Sequence, residues 1–505
     1  MLAKILSGTT IGLDGVLIEV EVDVAGRGFP TFTIVGLPDK AVDEAKHRVR
    51  TAIINAGFEM PDSRITVNLA PADIPKEGSA FDLPIAIGIL AASGLINVDK
   101  IPGGLFLGEL SLEGRLRRVP GVLSVAILAK EKRIGHYYVP TDNADEAALI
   151  NGVVVHPVYH LTDLIAHLNG SAALPAQPPV DLASVATVAC STDFSDVKGQ
   201  MQARRALEIA AAGFHNVLLK GPPGAGKTLM ARAFPSILPL MGRDEVLEAS
   251  KIYSVSGLLN RSRFMVNRPF RAPHHTTSRI GLIGGGTHPL PGEVSLAHRG
   301  VLFLDELPEF PRSVLESLRQ PLEDGEVTIS RAAGTVTFPA RFLLLAAANP
   351  CPCGYLGHHS RPCLCLPGAV IRYRKRLSGP LLDRIDLHVD VPAVPQADLV
   401  TNQAAESSAV IRQRVEAARQ RQSRRFRDSR TKTNGEMTGA EIKKLCRLSP
   451  GALDLLKLAI TRMALSARSY FKIIKMSQTI ADLAGVDTIE TSHVAEALQY
   501  RKRDD

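Results

Sequence analysis

Apolar and polar positions follow two periods along the chain. Within residues 1–169, short β-rich runs such as residues 16–24 alternate with helical runs such as residues 81–95. This rhythm predicts an α/β or α+β domain. Residues 170–196 are rich in Ala, Pro, Ser and Val and lack a periodic apolar face, which predicts a linker.

Three short apolar runs within residues 197–395 have the character of buried parallel strands. They cover residues 217–219, 300–304 and 341–348. Two carboxylates follow the second run, and an asparagine follows the third. Because open parallel sheets bind ligands at the carboxyl ends of their strands, these runs predict one crevice on a parallel sheet between helices.

The chain ends in a helical region. From residue 438 to residue 501 apolar residues recur at helical spacing, and Thr438 with Glu441 fits a capping box. Residues 436–505 are therefore predicted to form a small helical lid domain. The connecting segment 396–435 is basic, with eight arginines between residues 411 and 430. Such a stripe suits nucleic acid, and a solvated helix is at least as common.

Composition narrows the class of protein without identifying a partner. The 505 residues are 45% hydrophobic, which is ordinary for a globular protein. The longest apolar stretch, residues 83–96, is too short to span a bilayer, and the first residues lack the pattern of a secretory signal. A cytoplasmic protein with no membrane partner is expected. The net charge of +8 favours a polyanionic partner, although a basic excess is common on solvated surfaces.

Residues 221–228, GPPGAGKT, satisfy every fixed position of the phosphate-binding pattern G-x-x-x-x-G-K-[ST]. Glycines let successive backbone N–H groups point into one concavity, where Lys227 can reach the β- and γ-phosphates and Thr228 can bind Mg²⁺. ATP and Mg²⁺ are therefore the predicted cofactors. The predicted nucleotide-binding residues are Gly221, Pro222, Pro223, Gly224, Ala225, Gly226, Lys227, Thr228 and, after the second strand, Asp305.

The polar residues that follow the second and third strands complete the predicted chemistry. Asp305 can hold Mg²⁺, and Glu306 is predicted to take a proton from the attacking water. Asn349 can orient the same water. The competing interpretations are structural, because acids often occupy the first turn of a helix and asparagine before proline often forms a turn.

Four of the six cysteines form two C-x-C pairs, Cys351 with Cys353 and Cys363 with Cys365. Four thiolates suit a tetrahedral structural Zn²⁺, although C-x-x-C is the commoner spacing. Reduced, unliganded thiols in a loop are the alternative. Zinc is favoured because clustered free cysteines invite oxidation.

Two segments of the first domain resemble the proteolytic domain of Lon-type proteases, which use a Ser-Lys pair. They are PKEGSAFD, residues 75–82, and GELSLEGR, residues 108–115. The alignment puts the family's serine at Ala80 and its lysine at Leu123. Ser79 lies one residue away, but a serine hydroxyl needs a base to act as a nucleophile. A non-proteolytic scaffold is therefore expected, and a peptidase is the minority interpretation.

The motifs GPPGAGKT, VLFLDE, LLAAANPCPCG, LSGPLLDRID and LSARSY occur in the order seen in the magnesium-chelatase-like branch of the AAA+ superfamily. With the Lon-like domain in front, the chain resembles the bacterial competence protein ComM family over nearly its whole length. The resemblance implies that Asn349 is the sensor-1 residue, Arg384 an arginine finger offered to a neighbour's ATP, and Arg468 the sensor-2 arginine. A finger acting in trans implies a homo-oligomeric ring, with a hexamer expected. An intrachain salt bridge is the alternative for both arginines.

Residues 325–338 alternate apolar and polar positions on both sides of a short turn, which predicts a β-hairpin. AAA+ relatives that move DNA insert a pore hairpin at this place, so Arg331 at its tip is the candidate contact to the DNA backbone. An edge hairpin with an exposed arginine is an equally good interpretation. With no tryptophan and 5% aromatics, contacts to phosphate with little sequence preference are expected.

The family likeness implies an ATP-dependent, ring-forming DNA motor: a helicase that promotes branch migration in homologous recombination during natural transformation. Single-stranded or branched DNA is the implied partner. A metal-chelatase-type AAA+ subunit is the first alternative and predicts a porphyrin-binding partner. An ATP-dependent protein remodeller or protease is the second.

Overall fold

The computed structural model describes residues 1–26, 29–97, 101, 103–182, 192–259, 264–286, 289–331, 334–358, 361–393, 405–463 and 465–502. The chain forms two compact units, each with its own apolar core. Unit 1 consists of Met1–Val185 with Arg243–Val266, and unit 2 consists of Ala186–Gly242 with Asn267–Asp505.

The strands are, in chain order, β1 (Leu2–Ile11), β2 (Asp14–Val24), β3 (Thr31–Val35), β4 (Arg64–Ala70), β5 (Gly104–Phe106), β6 (Glu109–Leu110), β7 (Leu116–Arg117), β8 (His136–Pro140), β9 (Val154–Val158), β10 (Val217–Lys220), β11 (Phe270–Arg271), β12 (Gly284–Gly285), β13 (Leu290–Pro291), β14 (Val301–Leu304), β15 (Glu326–Arg331), β16 (Gly334–Pro339), β17 (Leu343–Ala348), β18 (Leu387–Asp390), β19 (Arg447–Leu448) and β20 (Thr488–Ile489).

The helices are, in chain order, α1 (Lys40–Asn55), α2 (Asp82–Ala92), α3 (Val122–Glu131), α4 (Ala144–Ala147), α5 (Leu161–Asn169), α6 (Met201–Gly213), α7 (Lys227–Ala233), α8 (Arg243–Val255), α9 (Arg279–Ile283), α10 (Glu293–Leu296), α11 (Arg312–Ser317), α12 (Arg319–Asp324), α13 (Pro367–Arg374), α14 (Gly379–Leu382), α15 (Ser408–Arg425), α16 (Gly439–Leu445), α17 (Pro450–Met463), α18 (Ala467–Leu483) and α19 (Thr491–Gln499).

Unit 1 is built on a seven-stranded sheet in the order β3-β4-β2-β1-β5-β8-β9. β1 and β2 form an antiparallel hairpin, and alternate residues of β2, such as Ile18, Val20 and Val22, are buried as the period of two predicts. Every residue of α2 is buried, which explains why its sequence lacks a polar face. Among the described residues, no helix combines the length and apolarity needed to cross a membrane.

One buried carboxylate joins α1 to α2. Asp82 is fully buried and accepts hydrogen bonds from Nε and Nη2 of Arg48, at 2.8 and 3.0 Å. The backbone N–H of Leu110 donates to the same carboxylate at 3.2 Å. Burial raises the pKa of Asp82 to about 6, and the hydrogen bonds from Arg48 act in the opposite direction. Arg48 is therefore the group that makes the Asp82 charge tolerable inside this unit.

Residues 243–266 belong to unit 1, although the sequence predicts an uninterrupted ATPase core over residues 197–395. α8 packs against α3. Ser254 of α8 donates to Glu146, which also accepts from the Leu123 backbone N–H at 3.2 Å and from Arg118 at 3.0 Å. The apolar spacing of α8 predicts a buried face, but it does not say which core covers that face.

The linker predicted at residues 170–196 is shorter in the structure. The backbone N–H of Gln177 donates to Val155 of the edge strand β9 at 2.8 Å, so the proline-rich segment extends unit 1. Phe194 is fully buried in the core of unit 2. Residues 183–191 lie outside the described residues. Extended proline-rich backbone can satisfy an unpaired sheet edge, which composition alone does not reveal.

Unit 2 contains a five-stranded sheet in the order β11-β14-β17-β10-β18. Every neighbouring pair is parallel, so the carboxyl ends of the strands lie at one edge. β17 lies between β10 and β14, the strands that precede the glycine-rich loop and the two carboxylates. The predicted fold class, a parallel sheet with helices followed by a helical C-terminal region, is confirmed.

The C-terminal helices continue the core of unit 2. Thr438 and Glu441 form the predicted capping box at the start of α16. α15 packs against α6 and α18 and buries Ile411, Val415 and Ala418. The basic segment predicted at residues 396–435 is therefore largely a packed helix, and its residues 396–404 lie outside the described ones.

Replacing Arg48 with methionine is expected to destabilise unit 1 by about 3–5 kcal/mol at pH 8, because the Asp82 carboxylate stays buried without its partner. The folded pKa of Asp82 already exceeds its ordinary 3.8, so stability is lost as pH rises through the folded pKa. Without Arg48 that pKa rises further, and the cost should be smaller at pH 5, where the carboxyl is protonated. Hydrogen exchange of amides in α1 and β4 measures the opening free energy.

Arg50→Met is the matched control for this substitution, because Arg50 is exposed on the same helix. It should leave the exchange of α1 and β4 unchanged at both pH values. An equal cost for the two variants, or a cost for Arg48→Met that does not grow with pH, would contradict the role assigned to the Arg48–Asp82 pair.

Candidate functional site

The glycine-rich loop, residues 221–228, joins β10 to α7 at the carboxyl edge of the sheet. Gly224 and Gly226 have φ of 78° and 87°, a region that glycine adopts without strain. A Cβ at position 221 would lie 2.1 Å from the carbonyl oxygen of Val391, so the loop passes close to the end of β18. The pattern of glycines therefore has a geometric cause at three positions.

The ammonium group of Lys227 lies beneath this loop. Its Nζ donates to the carbonyl oxygens of Gly221 and Pro222, at 2.7 and 2.9 Å, and to Oδ1 of Asn349 at 3.1 Å. Burial lowers the pKa of Lys227. The structure thus brings Lys227 and Asn349 together, although 122 residues separate them in the chain.

The hydroxyl of Thr228 donates to Oδ2 of Asp305 at 2.8 Å. Asp305 directly follows β14, and its other oxygen accepts from the Glu306 backbone N–H at 2.9 Å. A hydroxyl and a carboxylate so close together offer the oxygen ligands that Mg²⁺ prefers. The residues present therefore fit the metal that the loop implies.

Glu306 has a left-handed backbone, with φ of 51°, and its side chain is about half exposed. A strained, exposed carboxylate beside a phosphate loop is typical of functional sites. Nδ1 of His275 lies 3.6 Å from Oε2 of Glu306. His275 is not among the residues predicted from the sequence. It follows β11, and β11 is the parallel neighbour of β14, so residues that follow these two strands meet at one edge of the sheet.

A cavity of 830 Å³ opens beside the loop. Gly221, Pro222 and Asn349 contribute to its wall, together with Tyr373 and residues at the end of β18. Its volume falls in the range of about 300–1,000 Å³ that is common for sites of small ligands. Its described lining includes Gly221 and Pro222 of the loop but not Lys227, Thr228 or Asp305.

Arg384 and Arg468 lie together, and both contact Glu323 of α12. Arg384 Nη2 donates to Glu323, and Arg468 Nη2 lies 3.7 Å from the same carboxylate. They border a cavity of 250 Å³ with Lys472 and Lys475 of α18. The described lining of this cavity includes no residue of the glycine-rich loop. The structure therefore brings the two arginines to one intrachain carboxylate, Glu323.

The predicted hairpin is present as β15 and β16, which pair antiparallel from Glu326 opposite Pro339 to Arg331 opposite Gly334. Val327, Ile329 and Phe338 are buried, as the alternation predicts. Residues 332 and 333 and the side chain of Arg331 lie outside the described part of the chain.

The arginines of α15 do not form a uniform basic stripe. Most point inward and bond to unit 2 itself. Arg412 bonds to the Ser236 carbonyl, Arg414 to Glu208 and Glu406, Arg419 to the Ala211 carbonyl, Arg421 to Asp487 and Arg425 to Asp482. Sequence spacing could not separate these structural arginines from exposed ones, because a long side chain can reach partners on neighbouring helices.

The four cysteines of the C-x-C pairs converge. Their sulfur atoms lie within 4.8 Å of one another, and Cys351 Sγ is 3.4 Å from Cys353 Sγ and 3.7 Å from Cys363 Sγ. Zn–S bonds of about 2.3 Å in a tetrahedron set sulfurs about 3.8 Å apart. The cluster thus has the spacing of a four-thiolate metal site.

The Lon-like residues of unit 1 do not assemble a Ser-Lys pair among the described contacts. The Ser79 hydroxyl donates to the Glu109 carboxylate. Leu123, at the place of the family's lysine, is fully buried. Lys76, three residues before Ser79, donates to the Pro71 carbonyl instead. A hydroxyl without an amine base is a weak nucleophile.

Three family models match the chain. The model described as "Magnesium chelatase, subunit ChlI" matches residues 193–399, which contain the loop and both carboxylates. "Subunit ChlI of Mg-chelatase" matches residues 20–143, and "Magnesium chelatase, subunit ChlI C-terminal" matches residues 405–501.

Similarity to individual proteins extends over nearly the whole chain, as two of the relatives illustrate. Competence protein ComM of Haemophilus influenzae is 46% identical over 505 residues, which covers 99% of this chain and 97% of that protein. The uncharacterized protein YifB of Escherichia coli is 45% identical and covers 98% and 96%. The magnesium-chelatase 38 kDa subunit of Cereibacter sphaeroides is 27% identical over 31% of this chain and 52% of that subunit. The chain therefore belongs to the ComM family of magnesium-chelatase-like AAA+ proteins.

Proposed function

We propose that this protein is an ATP-hydrolysing, ring-forming motor that acts on DNA. The observation that carries the ATPase part is the meeting of Lys227, Thr228, Asp305 and Asn349 at the ends of three adjacent parallel strands. One hydroxyl, one carboxylate, one ammonium and one amide around a glycine-rich loop are the groups that phosphoryl transfer from ATP to water requires.

Each residue has a proposed role in hydrolysis. Backbone N–H groups of residues 224–227 hold the phosphates, and Lys227 leaves the loop carbonyls to contact the β- and γ-phosphates. Thr228 and Asp305 hold Mg²⁺, which when bound neutralises phosphate charge. Glu306 accepts the proton of the water that attacks the γ-phosphorus, Asn349 orients that water, and ADP leaves with inorganic phosphate.

Arg384 and Arg468 are proposed to act on the ATP of an adjacent subunit. Their present partner, Glu323, is half exposed, as is Arg468, whereas the Arg384 side chain is 9% exposed and also donates to the Pro380 carbonyl. Arg384 therefore has to leave both partners to reach a γ-phosphate that arrives with a neighbouring protomer. A planar, permanently charged guanidinium suits the charge that develops there. A heterologous contact of this kind closes a ring, and a hexamer is the proposed form.

DNA is the proposed substrate of the motor. The near full-length similarity to a protein named competence protein ComM supports a role in DNA handling. The β15–β16 hairpin, which pairs as far as Arg331 opposite Gly334, lies in the chain between the strands that precede Asp305 and Asn349. The proposed process is branch migration in homologous recombination during natural transformation.

A metal-chelatase subunit is the second candidate, because the matching family models carry that description. The similarity to a chelatase subunit itself covers 31% of this chain, against 99% for ComM. The chelatase candidate predicts ATP hydrolysis that responds to a porphyrin-binding partner and is indifferent to DNA.

Lys227→Ala is expected to lower the rate of ATP hydrolysis by at least about 100-fold, because the phosphates lose their principal cation. Wild-type hydrolysis should rise when branched DNA is added, and wild type should move the branch point while Lys227→Ala does not. Phosphate release and a branched-substrate gel assay measure the two quantities.

Arg232→Ala is the matched control for the loop variant, since Arg232 is an exposed cation on the same helix, α7. It should hydrolyse ATP like wild type. ATP hydrolysis that does not respond to DNA would contradict the proposed DNA motor and favour the chelatase candidate. Full activity of Lys227→Ala would remove the ATPase assignment itself.

Mixing two inactive variants tests whether Arg384 acts in trans. Arg384→Ala keeps its own loop, and Lys227→Ala keeps its arginine, so each should be inactive alone. In a random 1:1 ring, roughly a quarter of interfaces join an intact loop to an intact arginine, and ATPase activity should return to about that fraction. A mixture as inactive as its components would favour an intrachain role for Arg384.

We further propose that Cys351, Cys353, Cys363 and Cys365 bind one structural Zn²⁺. The cluster begins two residues after Asn349 and lies against the loop, because a Cβ at Gly354 would be 2.6 Å from Cδ of Pro223. Metal binding would thus fix the turn that carries Asn349.

Metal analysis of purified protein is expected to find close to one zinc per chain. Cys363→Ser should lose the metal and raise the KM for ATP, because the turn beside Pro223 loses its anchor. Cys446→Ser, at a buried cysteine outside the cluster, should keep both the zinc and the KM. Wild-type protein without zinc would contradict the metal site.

A further inference from the structure

The end of α15 carries basic side chains that the fold does not use. We call Arg424, Arg427, Arg430 and Lys432 the α15 basic patch. All four are exposed. Among the described contacts, no ion pair reaches any of them, whereas five arginines earlier and later in the same stretch bond to unit 2. Those five arginines therefore have partners in unit 2, and the four residues of the patch are the remaining cations of the stretch.

The patch surrounds a cavity instead of spreading over a convex face. Arg424, Arg427 and Lys432 line a cavity of 660 Å³, together with Ser423, Phe426 and Thr431. No carboxylate belongs to this described lining, although Asp428 lies in the same stretch of chain. Three cations and Ser423 line this space, while the Thr431 hydroxyl donates to Glu441 at 2.8 Å. A cavity lined by three cations makes a site for anionic oxygen.

The helix dipole does not account for this arrangement. Basic residues are favoured in the last turn of a helix, which explains Arg424 and Arg425. Arg427, Arg430 and Lys432 lie beyond the end of α15, where that effect has fallen off. Phe426 is buried, so the chain turns back at this point and brings cations from both sides of the turn to one cavity.

We propose that the α15 basic patch binds the phosphate groups of a nucleic-acid strand, as a contact separate from the β15–β16 hairpin. The inference rests on the proposed function, because it takes DNA as the partner. Guanidinium groups bind phosphate oxygens in a bidentate manner, and the cavity of 660 Å³ falls in the range of about 300–1,000 Å³ that is common for ligand sites.

The chemistry of the patch also indicates how it binds. Phe426, the one aromatic residue in the described lining of the cavity, is only 4% exposed, which leaves little ring surface for a base to stack on. Recognition therefore goes through phosphate, is independent of sequence, and weakens steeply with salt. The patch thus provides the proposed motor with a second DNA-binding site, separate from the β15–β16 hairpin.

The test is the salt dependence of DNA binding by the full chain carrying Arg424→Ala, Arg427→Ala and Lys432→Ala together. Fluorescence anisotropy with a labelled single strand, titrated at several salt concentrations, gives the slope of log K against log salt. Three lost phosphate contacts should make that slope shallower by about 2, since each contributes about 0.7 on single strands. Hydrolysis of ATP without DNA should be unchanged, which shows that the variant is folded.

Lys130→Ala, Lys132→Ala and Arg133→Ala together are the control, because they remove three exposed cations from a short stretch of unit 1. This control should keep the wild-type slope. If the patch variant keeps that slope too, or if both variants lose it equally, the patch is not the site, and the DNA motor stands. If wild type itself does not bind DNA, the proposed function fails first, and the patch with it.

Discussion

The hydrogen bond from Thr228 to Asp305 depends on the order of the strands in the sheet and on small side chains at the end of β17. The same two features shape the whole candidate site. The two residues follow β10 and β14, which are not neighbours, because β17 lies between them. Strands in a sheet are about 4.8 Å apart, so the bond has to pass over the end of β17. That end consists of Ala346, Ala347 and Ala348, whose small side chains leave room, and Asn349 follows directly at the floor of the crevice. Strand order and small side chains together make the site possible.

Buried charged groups also connect the segments that carry Arg384 and Arg468 in the C-terminal part of unit 2. Burial would raise the pKa of Asp386, but His215, whose Nδ1 lies 3.7 Å from Oδ2 of Asp386, and the charge of Lys472 lower it below its ordinary range. Asp386 lies two residues after Arg384, and Lys472 lies one helical turn after Arg468 on α18. The charge pair between them therefore joins the segment that holds one arginine to the helix that holds the other. A ligand or a neighbouring subunit that displaces α18 would therefore displace the guanidinium groups of Arg384 and Arg468 together.

Arginine serves three physical purposes in this chain. Arg48 and Arg425 neutralise the buried carboxylates Asp82 and Asp482, where removal would leave a charge in a low dielectric. Arg384 and Arg468 share one half-exposed carboxylate and can exchange it. The α15 basic patch has no carboxylate partner among the described contacts. Depending on the groups around it, an arginine in this chain stabilises a buried carboxylate, shares an exposed carboxylate that it can release, or is available to bind a ligand.

The sequence by itself determined the elements whose cause is local. Glycines at 224 and 226, the apolar strand before them, the alternation of the β15–β16 hairpin and the capping box at Thr438 all depend on nearby residues, so pattern was enough. Only the tertiary structure decided that α8 completes unit 1, that most arginines of α15 point inward, and that His275 approaches Glu306. Each of these depends on a partner far away in the chain, and a periodic pattern tells which face is buried without telling what buries it.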